Sequence, residues 1–304
     1  MGEGGEQSEF LSEEITFIVT FSPGGGFDTY ARGLVDLLPD HLPEDVDFVV
    51  ENSTPNFTGL MDIWRADPDG HTIGTTAALG MVARQIVEDV PYDMREFTWL
   101  ARMALTEYMI AAGADTGYES VDDLREADEV DWATPGAGTT AWLASIISAS
   151  DLEINFNVVN FEGTQEAAAA VLRGDADVML GPTTTPSLTE PLNAGDMTPI
   201  VSFTDEQPET VPETDTATDI GQEGLMNLNL NRPVFGPPDI PDDRANTLSE
   251  SIVETLESDE MQPWAEENER PINATGRDEM SDTISGAFDT LSEYEDLLND
   301  HLDQ

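Results

Sequence analysis

Apolar and polar positions alternate between two periods along this chain. From Ile15 to Phe21 the residues are almost continuously apolar and β-branched, the pattern of a buried strand. Pro23-Gly-Gly-Gly26 breaks the run, and Ala31, Leu34, Val35 and Leu38 then recur at helical spacing. The same alternation continues down the chain. Val46–Glu51, His71–Thr76, Phe97–Met103 and Tyr108–Ala112 read as strands, and Phe57–Arg65 reads as a helix with Phe57, Leu60, Met61 and Trp64 on one side. Asp67-Pro-Asp-Gly70 is a turn, and Thr75–Leu79 reads as a small-residue loop.

A second run of the same kind begins near Gly113. Val121–Leu124 opens a short helix, and the strand 130–133 leads through Pro135-Gly-Ala-Gly138 into an apolar helix that Thr139 and Thr140 are placed to cap. A strand at 154–161 precedes an Ala-rich helix, Thr164–Arg173; strands before Gly181 and at Pro199–Ser202 follow, and residues 205–221 read as loop. Alternating strands and helices indicate βαβ units and mostly parallel sheets flanked by helices. The segment Asn231–Pro241 is too rich in proline to read as a central strand throughout. Three helical stretches close the chain, the last an amphipathic one marked by Met280, Ile284, Phe288, Leu291 and Leu298. The expected organisation is a flexible polar leader over 1–14, a first domain over 15–112, a second over 113–230, and a crossing segment with C-terminal helices over 231–304.

Charge changes this picture. The 304 residues carry 63 acids against 11 bases, a formal net charge of −52, and every base is arginine. Such a chain repels itself in dilute buffer. In molar salt the Debye length falls to about 3 Å and the repulsion is largely screened. Because the acids are spread evenly, the composition reads as adaptation to salt, and it disfavours nucleic acid as a partner. The absence of cysteine excludes disulfides and thiolate chemistry. No run of 18 apolar residues is present, so no transmembrane segment is expected.

The chemistry concentrates at the two strand-to-helix turns. A helix opening after a glycine turn presents backbone N–H groups at its positive end and suits an anion, although the same residues could form a plain turn. Nucleotide phosphate fits poorly. There is no lysine for a Walker A loop, and Thr29 occupies the place of the third glycine of a dinucleotide fingerprint. The three histidines, His41, His71 and His301, accompany neither a Gly-x-Ser-x-Gly elbow nor a His-Glu-x-x-His pair. No metal or cofactor is expected. Asp28 and Arg32 have the spacing of an ion pair on one helix, whose main role reads as structural and whose second is to orient the loop. Asn52, Asn56 and Asn273 each begin an Asn-x-Ser/Thr triplet, a hint of exposed loops in an exported protein.

Pro23-Gly-Gly-Gly-Phe-Asp-Thr-Tyr-Ala-Arg32 resembles the signature of the Bug/TctC proteins, the extracytoplasmic solute receptors of tripartite tricarboxylate transporters. The resemblance continues in order through Arg65–Ile73, Pro135–Thr139, Phe161–Gly163, Leu172–Val178 and Phe235–Pro238. It implies a two-lobed α/β fold of the periplasmic-binding-protein type, a type II Venus flytrap, with the C-terminal helices returning to the first lobe. It also implies a small carboxylate as ligand, held by backbone N–H groups and waters rather than by lysine or arginine. Carried over, the ligand-binding residues are Pro23, Gly24, Gly25, Gly26, Phe27 and Asp28 from one lobe. Thr134, Gly136, Ala137, Gly138, Thr139 and Thr140 come from the other, with Thr76, Ala77, Phe161, Gly163 and Asp177 lining the rest. Phe27 departs from the family's small or polar residue and is expected to alter the pocket's size. The implied partners are the large and small membrane subunits of a transporter, and the protein is expected to be a monomer and exported, with a lipid anchor on the native form left open. A ligand-sensing receptor of the same fold is the alternative, and an enzyme acting on a small acid stands third.

Overall fold

The computed structural model describes residues 14–44, 46–211 and 214–302, so the leader expected over 1–14 lies outside the described residues but for Glu14. The chain divides into two compact units. The first comprises residues 1–105 and 231–285, and the second residues 106–230 and 286–304.

The first unit begins β1 (Ile15–Val19), α1 (Gly26–Leu37), β2 (Phe48–Asn52), α2 (Asn56–Trp64), β3 (Thr72–Thr75), α3 (Ala78–Val87) and β4 (Thr98–Thr106). The second unit follows with β5 (Tyr108–Gly113), α4 (Val121–Glu126), β6 (Val130–Thr134), α5 (Thr140–Asp151), β7 (Phe156–Asn160), α6 (Thr164–Arg173), β8 (Val178–Pro182), α7 (Pro186–Ala194), β9 (Met197–Ser202) and β10 (Asp215–Thr216). The chain then adds β11 (Leu230–Gly236), α8 (Asp242–Glu257), α9 (Met261–Asn268), β12 (Thr275–Gly276), α10 (Arg277–Ser292) and α11 (Glu295–Leu302).

Each unit is built on a six-stranded sheet, ordered β12-β4-β11-β3-β1-β2 in the first and β10-β9-β5-β8-β6-β7 in the second. The sheets are mixed rather than mostly parallel. In the first, β1 runs parallel to both β2 and β3, while β11 is antiparallel to β3 and β12 to β4. In the second, β6 runs parallel to β7 and β8, and β5 is antiparallel to β8 and β9. Each parallel triplet comes from consecutive strand–helix–strand crossovers, which deliver the helix after every strand to the same end of the sheet.

Three expectations from the sequence are corrected. The proline-rich segment after Asn231 supplies β11, an interior strand, where Phe235 pairs with Gly74 of β3. Pro233 has no N–H to contribute to a ladder; instead the strand is fixed by its apolar half. Val234 and Phe235 are fully buried, and Phe235 meets Phe97 and Trp99 with ring centroids 5.0 Å apart. Such aromatic pairs contribute about 0.5–1.5 kcal/mol each beyond their buried area. The loop read over 205–221 contains the short strand β10. The return of 231–304 to the first unit ends at Ser285, because the last residues pack with the second unit. There Asn227 Nδ2 donates to Thr290 Oγ1 at 2.9 Å and Tyr294 Oη donates to Asp151 Oδ1.

Candidate functional site

In an open parallel sheet, ligands bind beyond the carboxyl ends of the strands, where the following helices begin. Both units have such an end, and most of the residues singled out in the sequence lie there.

In the first unit, β1 runs out through Thr20 and Phe21 into the Pro23–Gly26 loop, and α1 starts at Gly26 with Gly25 as its N-cap. Gly25 has extended backbone (φ −78°, ψ 172°) and no side-chain cap covers this helix start. Gly24 adopts φ +81°, a conformation that a side chain would strain, so the turn requires glycine there. Pro23, Gly24 and Gly25 are exposed. The loop's shape is set by Asp28, whose carboxylate is turned inward and buried. It accepts hydrogen bonds from Gly24 N–H at 2.8 Å, from Asn52 Nδ2 at 2.9 Å and from Arg32 Nε at 3.0 Å. Burial pushes this carboxyl's pKa up, but hydrogen bonds from Arg32, Gly24 and Asn52 and the Arg32 charge outweigh it and hold the group below its ordinary value. Asp28 thus serves both structural pairing and orientation of the loop.

Asn52, read in the sequence as part of a hint of exposed loops, also donates to the Phe21 carbonyl at 2.9 Å, pinning the loop's entry. Phe27 is buried and stacked on Phe21, with centroids 4.4 Å apart. Its ring therefore braces the loop from within the unit. At the neighbouring strand end, Thr76 is fully buried and accepts a hydrogen bond from Thr20 Oγ1 at 2.9 Å. Ala77 is the N-cap of α3, so a second helix opens beside the first.

The second unit repeats the arrangement. Thr134, at the end of β6, is fully buried; its hydroxyl donates to Asn160 Oδ1 at 2.7 Å and its carbonyl accepts from Phe161 N–H at 2.9 Å. Gly136 and Gly138 both have positive φ. Thr139 caps α5 as expected: its Oγ1 accepts from Trp142 N–H at 3.1 Å and donates to the Gly136 carbonyl at 2.9 Å. Ala137, Gly138 and Thr139 are exposed, and Thr140 is buried in the first turn. Gly163 is the N-cap of α6, which opens next to α5, and Phe161 reaches the cluster formed by Met109, Ala133 and Leu188.

Asp177 is not brought to this group. It precedes β8, and its backbone N–H and carboxylate both bind the backbone of Asp131, at the start of β6. Since β6 and β8 are parallel, Asp177 lies at the opposite end of the sheet from Thr134. The residue that follows β8 at the end shared with Thr134 is Thr183, which is buried.

Sequence reading also missed Arg232. Strand β11 is antiparallel to β3 with Phe235 opposite Gly74, which carries Arg232 to the carboxyl end of β3. Its guanidinium lies over the rings of Phe27 and Tyr30, 5.4 Å and 5.1 Å from their centroids. A methyl group placed on Gly26 would stand 3.6 Å from Arg232 Nη2. Arg232 therefore stands beside the glycine loop, in addition to Arg32.

His41 stands beside Glu254 and His71 beside Asp69, both in the first unit; the side chain of His301 lies outside the described residues. Among the described residues no group of three or more His, Asp or Glu is placed to hold a metal, and no helix is long and apolar enough to cross a membrane.

Two α/β units, each with glycine-led helix starts at the carboxyl ends of its parallel strands, define a class: the two-lobed solute-binding proteins. The model of the tripartite tricarboxylate transporter family receptor, TctC, matches residues 32–278, and the chain belongs to that family. A UPF0065 protein of Bordetella pertussis is 24% identical over 281 residues, covering 86% of this chain and 84% of that protein. A TctC solute-binding protein from Polaromonas, solved with no ligand, superposes with a TM-score of 0.79 at 16% identity, over 95% of this chain and 99% of that one. MatC of Rhodopseudomonas palustris, solved with bound malate, gives a TM-score of 0.65 at 18% identity, over 93% of this chain and 99% of that one. At these identities the structures speak for the fold. Family and fold are those of solute-binding receptors, not of enzymes.

Proposed function

We propose that the chain is an exported receptor that captures a small carboxylate and delivers it to the membrane subunits of a tripartite transporter. The observation that carries this reading is a glycine-led, exposed helix start in each unit, without a side-chain cap at Gly25–Gly26 and capped only by Thr139 at Gly138–Thr140, in a chain of the TctC family. Each presents main-chain donors and a helix dipole that together favour an anion, by about 0.3–1 kcal/mol of charge–dipole attraction per terminus besides the hydrogen bonds themselves. In this reading Pro23–Asp28, with Thr76 and Ala77, supplies one set of ligand contacts, and Thr134 and Gly136–Thr140, with Phe161 and Gly163, supply a second. Malate bound to the related MatC supports a carboxylate as the ligand class. The protein acts as a monomer outside the cytoplasm.

The net charge of −52 belongs to the same reading. A strongly acidic receptor repels an anionic ligand at a distance, so capture depends on salt to screen the long-range field while the local donors act at contact. We read the chain as adapted to molar salt for this reason. Titration calorimetry in molar KCl against malate, succinate, adipate and citrate tests the assignment. Saturable binding of at least one acid supports it, and heats indistinguishable from dilution for folded protein refute it.

A further inference from the structure

We propose that Asn160, oriented by Thr134, is a side-chain donor to the ligand's carboxylate in the second unit, an inference that deepens the ligand reading above and rests on it. The first unit shows what such a residue does. Asn52 closes β2 and stands opposite Val19, the last residue of β1. Its amide nitrogen donates to Asp28 Oδ1 at 2.9 Å, while Gly24 N–H of the glycine loop donates to Oδ2 of the same carboxylate at 2.8 Å. Its own oxygen accepts from Arg32 Nη2 at 3.1 Å, which fixes the direction of the amide. A strand-end asparagine and a glycine-loop N–H thus hold a carboxylate between them.

Asn160 has the same place in the second unit. It closes β7 and stands opposite Thr134, the last residue of β6. Ala133 packs with Ala167, Ala168 and Val171 of α6, so Thr134 and Asn160 lie on the other face of the sheet, the face of α5. Each unit therefore sets an asparagine beside the start of the helix that follows the central strand of its parallel triplet. Asn160 Oδ1 accepts from the buried Thr134 hydroxyl at 2.7 Å, so the amide turns its nitrogen away from Thr134. The adjacent Phe161 carbonyl stands 3.4 Å from a methyl group placed on Gly136, which sets this strand end against the glycine turn.

One difference separates the two corners. The third residue of α1 is Asp28, whereas the third residue of α5 is Trp142, which brings no carboxylate. Among the described residues, Asn160 Nδ2 and the N–H groups of Ala137 and Gly138 donate to no protein atom. The two other asparagines along this edge are engaged: Asn155 and Asn157 donate through Nδ2 to the Asp128 carbonyl and to Asp131 Oδ1. A ligand carboxylate accepting from Asn160 and from the Ala137–Gly138 turn reproduces the corner that Asp28 completes in the first unit. Hydrogen bonds to a charged acceptor are the stronger kind. Because this donor is neutral and acts at contact, molar salt leaves it effective.

The test measures malate, succinate and adipate affinities by calorimetry in molar KCl, with thermal midpoints alongside, for the wild type, Asn160→Ala, Asn160→Asp, Thr134→Val and Thr134→Ser. Asn160→Ala removes the donor and should weaken binding about 10- to 100-fold. Asn160→Asp keeps an acceptor for Thr134 but replaces the donor with a negative charge, so it should weaken binding further at a little-changed midpoint. Thr134→Val releases the amide and should weaken binding less than Asn160→Ala does, and Thr134→Ser, which keeps the hydroxyl, should restore it. Wild-type affinity in Asn160→Ala overturns the proposal. So does wild-type affinity in Asn160→Asp, which would reduce Asn160 to an acceptor for Thr134. Wild-type affinity in Thr134→Val overturns the positioning role of Thr134. Failure of the wild type to bind any acid overturns the ligand reading itself, an outcome distinct from a binding wild type with indifferent variants.

Discussion

Asp28→Asn perturbs the loop at the residue that shapes it. The wild-type carboxylate offers acceptor sites to three donors, Gly24 N–H, Asn52 Nδ2 and the Arg32 guanidinium, in a buried position. Asparagine keeps one acceptor oxygen and replaces the other with a donor. At least one of the three partners then faces an N–H group and loses its bond, which costs about 1–3 kcal/mol for a buried donor. The ion pair adds less, about 0.2–1 kcal/mol, because Arg32 is half exposed to solvent. The expected loss is about 1–4 kcal/mol, or roughly 2–16 °C in the thermal midpoint for a unit of this size. Removing a negative charge from a −52 chain acts in the opposite direction, so Glu51→Gln, an exposed site on the adjacent strand, is the control. The pH dependence carries its own sign. The Asp28 carboxyl titrates lower in the folded chain than its usual 3.8, so its contribution is present in full above that value and is lost as pH falls through the folded pKa. The gap between variant and control, followed by circular dichroism melts in molar KCl, should be constant near neutrality and narrow only in that acid window. A variant that melts with the control at neutral pH would refute the claim that this carboxylate organises the loop.

Two further outcomes are expected. Gly25→Val should abolish carboxylate binding while shifting stability by less than about 1 kcal/mol, because the extended backbone accepts a side chain and the nearest neighbour of an added Cβ, the Ser22 carbonyl, is 3.5 Å away; calorimetry with wild-type affinity would remove the loop from the site. The thermal midpoint should rise as KCl is raised from about 0.1 M to about 1 M, where the Debye length shrinks from about 10 Å to about 3 Å; a flat profile would contradict the salt-adapted reading.

What was legible in the sequence was local. The strand–glycine–helix passage at 15–38 announces itself because a β-branched run, a conformational break and a 3.6-residue period follow one another without interruption. Thr139 was legible as a cap for the same reason, its bond to Trp142 spanning three residues. Helix α3 was hidden behind a start with no side-chain cap at Ala77, and α7 behind two prolines, Pro186 and Pro191. Pro233 disguised β11 as a crossing loop, although Val234 and Phe235 bury its remaining length. Asp177 was misplaced because residues before and after a strand fall at opposite ends of a sheet, and only the pairing of β8 with β6 shows which end matters. Arg232 could not have been found locally at all. Its approach to Gly26 depends on an antiparallel register between β11 and β3 that no short-range pattern encodes.

If two main-chain cradles hold a carboxylate, calorimetric titration of the intact chain in molar KCl with malate, succinate, adipate and citrate will read it out. Saturable binding of at least one of these acids is expected, lost on Gly25→Val with little change in the thermal midpoint. Absence of binding to any of them by folded wild-type protein would contradict it.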